Sequence, residues 1–86
     1  MPYTITNAPR VDKLFGKIKR KDKETYREIL RKLDKIAENP YHFGKPMRSG
    51  YKGVWEVHIK NNVLYYRINE IKKSVEVVAY LDHDLM

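Results

Sequence analysis

An α+β fold in the order β-α-α-β-β-β is predicted for this chain of 86 residues, and three observations predict it. Residues 53–68 contain two runs of alternating side chains that meet at Asn61-Asn62, the pattern of a β-hairpin. Residues 11–18 and 26–37 carry apolar residues at helical spacing. Short β-branched and aromatic runs lie near both ends of the chain. We therefore expect two helices packed on one face of a small, mostly antiparallel sheet.

The composition narrows the class of protein. A net charge of +7 favours a polyanionic partner, either nucleic acid or an acidic protein, with simple solubility as the alternative. The chain has no cysteine, so disulfides and thiolate chemistry are excluded. No apolar run approaches the ~20 residues of a membrane span, and no signal peptide is visible. We expect a single domain in the cytoplasm.

The first strand is predicted over residues 2–6, because that run is β-branched and aromatic. Asn7 is the predicted N-cap of the first helix, and Pro9 suits its first turn. Val11, Leu14, Phe15 and Ile18 then form one apolar stripe. The basic run of residues 19–21 follows. It is either a solvated connector between helices or a contact to phosphate.

The second helix is predicted to begin at its N-cap Asp22 and to end near Asn39, because Pro40 disfavours helical geometry in the residue before it. Its apolar face consists of Tyr26, Ile29, Leu30, Leu33, Ile36 and Ala37. The two helices form an αα-hairpin.

Residues 41–52 are predicted to be an irregular loop, because they contain Gly44, Pro46 and Gly50. The loop interleaves aromatic residues with Lys45, Arg48 and Lys52. That mixture suits contacts to phosphate and to unstacked bases. The alternative is a connector whose aromatic residues pack on the core, and for Tyr41 and Phe43 we favour it.

Alternation in the hairpin separates two faces of the sheet. Trp55, Val57, Ile59, Leu64, Tyr66 and Ile68 are expected to face the helices. The opposite side, called the second face, carries Glu56, His58, Tyr65 and Arg67. In the last strand, residues 74–81, the same alternation adds Tyr80 to the second face. With no element left to cover it, this face is expected to be open.

Several short motifs together resemble the RelE/ParE superfamily of toxins from type II toxin–antitoxin pairs. They are Asn-Pro-Tyr at 39–41, Gly-Lys-Pro-Met at 44–47, residues 53–59, residues 63–68 and Asp-His-Asp at 82–84. The resemblance covers essentially the whole chain and implies one RelE-like domain over residues 1–86.

The resemblance implies three possible activities. RelE-like members are ribosome-dependent endoribonucleases that cut messenger RNA. ParE-like members share the fold but inhibit DNA gyrase without nuclease activity. A third possibility is an inactive protein that only binds its antitoxin. Each implies an acidic, RelB-like antitoxin in a heterodimer or heterotetramer, and the first also implies the ribosome and messenger RNA as partners.

The resemblance also implies where a ribonuclease site would lie. His58 and His83 match two histidines of relatives with histidine-based catalysis. Relatives often carry arginine where this chain has Val63 and Tyr80, so another cation, Arg67, Arg48 or Lys52, would have to replace them. The predicted catalytic residues are His58, His83, Arg67 and Tyr80. The predicted RNA- and phosphate-binding residues are Lys45, Arg48, Lys52 and Tyr65.

Metal-free cleavage of RNA requires a base, an acid and a cation, and histidine with arginine or lysine can supply them. Three histidines without HExxH spacing or cysteines argue against a zinc site, so no metal or cofactor is expected. Glu56 is expected to pair with Arg67 across the strands, with the orientation of a histidine as the alternative.

Overall fold

The computed structural model describes residues 2–47 and 53–82. The elements are β1 (Thr4–Asn7), α1 (Pro9–Lys21), α2 (Lys23–Glu38), α3 (Pro40–Phe43), β2 (Lys45–Pro46), β3 (Val54–Ile59), β4 (Asn62–Asn69) and β5 (Ser74–Asp82). One sheet has the order β1-β5-β4-β3-β2. Only β1 and β5 pair in parallel. The predicted α+β class, helical hairpin and C-terminal meander are confirmed.

The prediction of an irregular loop over residues 41–52 was wrong for residues 41–47, the part that the structure describes. These residues contain the end of α3 and the short strand β2. Within the described residues, no helix combines the length and apolar character that crossing a membrane requires.

The helix ends follow the sequence at α2 and depart from it at α1. Asp22 caps α2 by accepting a hydrogen bond from the Thr25 amide at 3.1 Å, as predicted. At α1 the predicted cap was wrong: Ala8 is the N-cap, and Asn7 pairs with Val77 in the sheet. Residues 19–21 form the last turn of α1, where the helix dipole favours cations, and not a connector.

The main core lies between the sheet and the two long helices. Buried residues of the helices are Val11, Phe15, Ile29, Leu33 and Ile36, and they pack with Val57, Ile59, Leu64, Tyr66, Val75 and Val77. This is the face predicted for the core. Leu30, by contrast, is 43% exposed and lies off the buried stripe of α2.

A β-bulge in β5 changes which residues face the helices. Tyr65 pairs with Ala79, but the next residue, Tyr66, pairs with Val77, so Val78 is the extra residue. The bulge reverses the alternation beyond it. Tyr80 therefore turns into the main core, where its ring lies 5.8 Å from that of Phe15 and burial raises its pKa. The prediction that Tyr80 lies on the second face was wrong.

The second face is partly covered. Val54, Val63 and Tyr65 form a smaller cluster there with Met47, Val78 and Ala79. Tyr65 is only 5% exposed, so the open character predicted around it was wrong. The covering residue Met47 follows β2, and its amide donates a hydrogen bond to the Val54 carbonyl at 2.8 Å.

Tyr66 connects the main core to α3. Its side chain is fully buried, and its ring stacks on Trp55 with centroids 6.4 Å apart. The hydroxyl donates a hydrogen bond to the Pro40 carbonyl at 2.6 Å and lies against Gly44. A Cβ at Gly44 would overlap this hydroxyl. Gly44 is thus required by a close approach and not by its backbone conformation, which is extended.

We expect Gly44→Ala to lower the free energy of unfolding by about 1–3 kcal/mol, the usual cost of overpacking a filled site. Gly16→Ala is the matched control, because its new Cβ would meet only the end of Arg20 at 4.0 Å. That change should stabilise α1 by about 0.5–1 kcal/mol. Urea denaturation measures both, and an unchanged midpoint for Gly44→Ala would contradict the overlap.

The carboxylate of Glu70 accepts hydrogen bonds from three segments of the chain. Glu70, in the turn before β5, accepts hydrogen bonds from the hydroxyls of Tyr3 and Tyr41 and from the Lys73 ammonium. These bonds lower the pKa of Glu70 to about 2, with Lys73 the largest cause. The same contact with Glu70 is the main reason why the pKa of Tyr41 rises to about 12.

The contribution of Glu70 to stability should therefore depend on pH. A depressed carboxyl pKa adds stability that is fully present above the unfolded value, near 4.5, and is lost as pH falls towards 2. We expect wild type to lose more stability than Glu70→Gln between pH 5 and pH 2, by a modest amount because the cluster is exposed to solvent. Thermal unfolding across that range measures the difference, and parallel curves would contradict it.

Candidate functional site

His58 lies on the second face, where the alternation of β3 placed it. Its neighbours Val57 and Ile59 are buried in the main core, and His58 itself is exposed. Across the strand pair it lies opposite Val63. His58 also takes part in an interaction within the protein.

The strand register arranges the polar residues of the second face in rows. Glu56 lies opposite Tyr65 in β4 and opposite Lys45 in β2. Lys45 is therefore two residues from the row of His58, or about 7 Å along the strands. His58, Glu56 and Lys45 form one group, which we call the β2–β3 group. It combines an imidazole, a carboxylate and an ammonium on one patch of surface.

Arg67 belongs to the other end of the second face. It lies opposite Val54 in β3 and opposite Glu76 in β5. Four residue pairs separate it from the row of His58, which is about 14 Å along the strands. Two of the predicted catalytic residues, His58 and Arg67, therefore lie at opposite ends of the second face, about 14 Å apart in strand register.

The expected pairing of Glu56 with Arg67 was wrong. Tyr65, and not Arg67, lies directly opposite Glu56, and no ion pair joins Glu56 to Arg67 in the described part of the chain. Cross-strand ion pairs depend on register, and the sequence did not show where the hairpin would align.

A depression of about 830 Å³ adjoins Arg67 at this end of the sheet. Its walls are short polar side chains of β1 and β5, together with the turn that joins β4 to β5. The lining residues are Thr4, Thr6, Arg67, Ile68, Asn69, Glu70, Ile71, Lys72, Ser74 and Glu76. Two cations and two carboxylates balance in charge, so the depression has no strong preference for an anion.

Three predicted site residues, Arg48, Lys52 and His83, lie outside the described residues. Their distance from His58 stays a prediction. Of the remaining predicted residues, His58, Lys45 and Arg67 are exposed on the second face, whereas Tyr65 and Tyr80 are buried. Within residues 2–47 and 53–82, no three His, Asp or Glu side chains gather as a metal site would require.

Most of the positive charge lies away from the second face. Residues 9–38 hold eleven Lys and Arg against six Asp and Glu, so this segment carries +5 of the net +7. A groove of about 500 Å³ on the helical layer, here called the hairpin groove, is lined by Lys19, Arg20, Lys23, Tyr26, Arg27 and Leu30. The Lys19 ammonium lies 5.9 Å from the centre of the Tyr26 ring.

Sequence reasoning missed the hairpin groove, because it assigned Leu30, together with Tyr26, to the core-facing side of α2. Tyr26 does pack against the main core, but Leu30 is exposed. The available signal was the local excess of cations over the hairpin. The four basic residues that line the groove face no acidic lining residue, and its floor is apolar. That combination suits an acidic partner with apolar side chains.

Comparisons with known proteins agree with this fold. Residues 8–84 match the family model described as the ParE toxin of a type II toxin–antitoxin system, parDE. A Methanocaldococcus jannaschii protein provisionally named toxin RelE4 is 35% identical over 83 residues, which is 95% of this chain and 87% of that protein.

Two solved structures share the fold at lower identity. The first is the RelBE2 toxin–antitoxin complex from Mycobacterium tuberculosis, with a TM-score of 0.77 and 19% identity; the match covers 96% of this chain and all of that one. The second is the YoeB/ParE toxin from Agrobacterium tumefaciens, with a TM-score of 0.80 and 16% identity over 93% and 98% of the two chains.

Proposed function

This chain belongs to the ParE toxin family of type II toxin–antitoxin systems, and on that premise we propose that it is an endoribonuclease that cleaves messenger RNA at the ribosome. The main support is the β2–β3 group: an exposed histidine on the second face, with Lys45 two residues away in strand register, about 7 Å along the strands. The family relationship alone does not separate nuclease from gyrase inhibitor. The histidine favours the nuclease.

The proposed reaction is a transfer within the RNA chain. A base takes the proton of the ribose 2′-hydroxyl, and that oxygen attacks the adjacent phosphorus. The bond to the 5′-oxygen breaks, and an acid protonates that oxygen as it leaves. His58 and His83 share these two roles, since histidine titrates near neutral pH. A cation stabilises the charge that develops on the phosphoryl oxygens.

Strand register suggests which cation serves the scissile phosphate. Of the two predicted cations in the strands, Lys45 and Arg67, Lys45 lies nearer to the row of His58, so we assign it to that phosphate. Arg67, about 14 Å away along the strands, binds a neighbouring phosphate instead. Arg48 and Lys52 remain proposed phosphate ligands. Tyr80 and Tyr65 are left out of the site, because both are buried and cannot reach RNA.

We expect His58→Ala to reduce cleavage of messenger RNA on ribosomes by at least about 100-fold, the usual contribution of a general acid or base. His42→Ala is the matched control, since His42 is an exposed histidine of α3 that has no role in the proposed reaction. It should cleave as wild type does. Primer extension on translated messenger RNA measures both, and full activity of the double variant His58→Ala/His83→Ala would rule out the histidine mechanism.

The second candidate is a gyrase inhibitor, favoured by the match to the ParE family model. A protein of that kind would leave messenger RNA intact and would inhibit supercoiling of relaxed plasmid by DNA gyrase. The two assays therefore separate the candidates. Activity in neither would favour a protein that only binds its antitoxin.

We further propose that an acidic, RelB-like antitoxin binds the hairpin groove, in a heterodimer or heterotetramer. The support is charge complementarity to the four cations of the groove, together with the exposed apolar surface of Leu30 at its floor. An amphipathic acidic segment would cover both. Messenger RNA and the ribosome, the proposed targets, would place the protein in the cytoplasm.

Arg27→Glu should weaken binding of the antitoxin at least about tenfold, because it places a carboxylate where an acidic segment docks. Lys72→Glu is the matched control: it makes the same change in net charge, but in the depression near Arg67. Its affinity should stay close to that of wild type. Calorimetric titration with the purified antitoxin measures both, and equal losses would show that only net charge matters.

A further inference from the structure

We propose that Tyr66 is a positioning residue for Lys45: its buried hydroxyl holds both ends of α3 and so sets where β2 joins the sheet. The proposal rests on the proposed function for the role of Lys45, but the part concerning β2 stands on its own. Tyr66 does not touch RNA in this arrangement. It acts through the chain that carries Lys45.

The Tyr66 hydroxyl contacts the residues at both ends of a very short helix. α3 contains only the four residues Pro40–Phe43. A helix of that length is not stable without tertiary contacts. The Tyr66 hydroxyl donates to the carbonyl of Pro40, the first residue of α3, at 2.6 Å. It also lies against Gly44, the residue after the helix, so closely that a Cβ there would overlap it. One oxygen atom thus contacts the residues at both ends of α3.

The position of Lys45 depends directly on these contacts of the Tyr66 hydroxyl. Gly44 is the residue immediately before β2, and β2 has only two residues, Lys45 and Pro46. Pro46 has no amide hydrogen to donate, so β2 contributes few hydrogen bonds of its own to the sheet. The chain leaves the helical layer at α3 and reaches the second face at Lys45, opposite Glu56. A displacement of Gly44 would therefore shift Lys45 relative to Glu56.

Two features of the sequence serve the same contact. Burying a hydroxyl in the core costs free energy unless the hydroxyl is hydrogen-bonded. If position 66 only filled space in the core, Phe would fill it as well as Tyr66 does. Gly44 has an extended backbone that any residue could adopt, yet it has no space for a side chain beside the hydroxyl. The hydroxyl and the glycine are both explained if the function of the contact is to place β2.

Hydrogen exchange tests the structural step without any assay of activity. The Met47 amide, bonded to the Val54 carbonyl, reports on β2, and the Leu64 amide in β4 is the internal reference. Tyr66→Phe keeps the ring and removes the hydroxyl. We expect exchange of the Met47 amide to become about tenfold faster relative to Leu64, since the hydrogen bond from the hydroxyl to α3 is lost.

Tyr80→Phe is the control for this measurement, because it removes another buried tyrosine hydroxyl, on a ring that packs against Phe15 of α1. It should leave the exchange of Met47 relative to Leu64 unchanged. If Tyr66→Phe accelerates Met47 and Leu64 equally, the hydroxyl only adds global stability, and the positioning proposal is overturned. Unchanged exchange at both amides would overturn it as well.

A double-mutant cycle tests the connection to Lys45. The probe is a fluorescent decauridine RNA, and the background is His58→Ala, so that no cleavage occurs. We expect Lys45→Ala to weaken binding about fivefold alone, through loss of a phosphate contact, and to have almost no further effect when combined with Tyr66→Phe. Arg67→Ala should weaken binding by the same factor with or without Tyr66→Phe.

Additive effects of Tyr66→Phe and Lys45→Ala would overturn the connection between the two residues, even if messenger RNA is cleaved. Absence of an effect of Lys45→Ala would also overturn it. Failure of the proposed function gives a different result: no cleavage by wild type on ribosomes, while the Met47 exchange measurement still decides whether the hydroxyl holds β2.

Discussion

The middle of β4, residues 63–66, is buried on both of its faces, and much of the molecule is arranged to cover it. Val63, Leu64, Tyr65 and Tyr66 follow one another, and none is more than 5% exposed. Alternate residues of a strand point to opposite faces, so both faces need apolar neighbours. The helical hairpin covers Leu64 and Tyr66, and the segment after β2 brings Met47 over Val63 and Tyr65. The short helix α3 and the two-residue strand β2 carry the chain to the position from which Met47 covers this cluster.

The same arrangement separates the chemistry of the protein into two places. The sheet face away from the helices carries an imidazole and a few cations with carboxylates nearby. The outer surface of the helical hairpin carries most of the net charge. A polyanionic target and an acidic partner would therefore meet different sides of the molecule. Inhibition by a partner at the hairpin groove would then act by competition for the ribosome or by burial of an adjacent surface, and not through contact with His58.

The sequence was a good guide wherever local chemistry acts alone. Asp22 caps α2 and Pro40 follows its end, because capping and the steric effect of proline need only neighbouring residues. The core-facing side of β3 was correct for the same reason, since alternation is a local property. Asn7 fails as a cap because pairing with β5, about 70 residues further along the chain, draws it into the sheet. Pairing between strands that are distant in the sequence overrides the local preference of Asn7 for an N-cap position.

By itself, the sequence determined the fold class, the order of the long elements, the sheet face of His58 and the excess of positive charge. Only the tertiary structure decided that the bulge at Val78 turns Tyr80 into the core, that Met47 buries Tyr65, and that His58 and Arg67 lie four residue pairs apart. The physical reason is register. The alternation of side chains can be read from the sequence of a single strand. Side chains that pack across the whole sheet set how two strands align and where one strand has an extra residue.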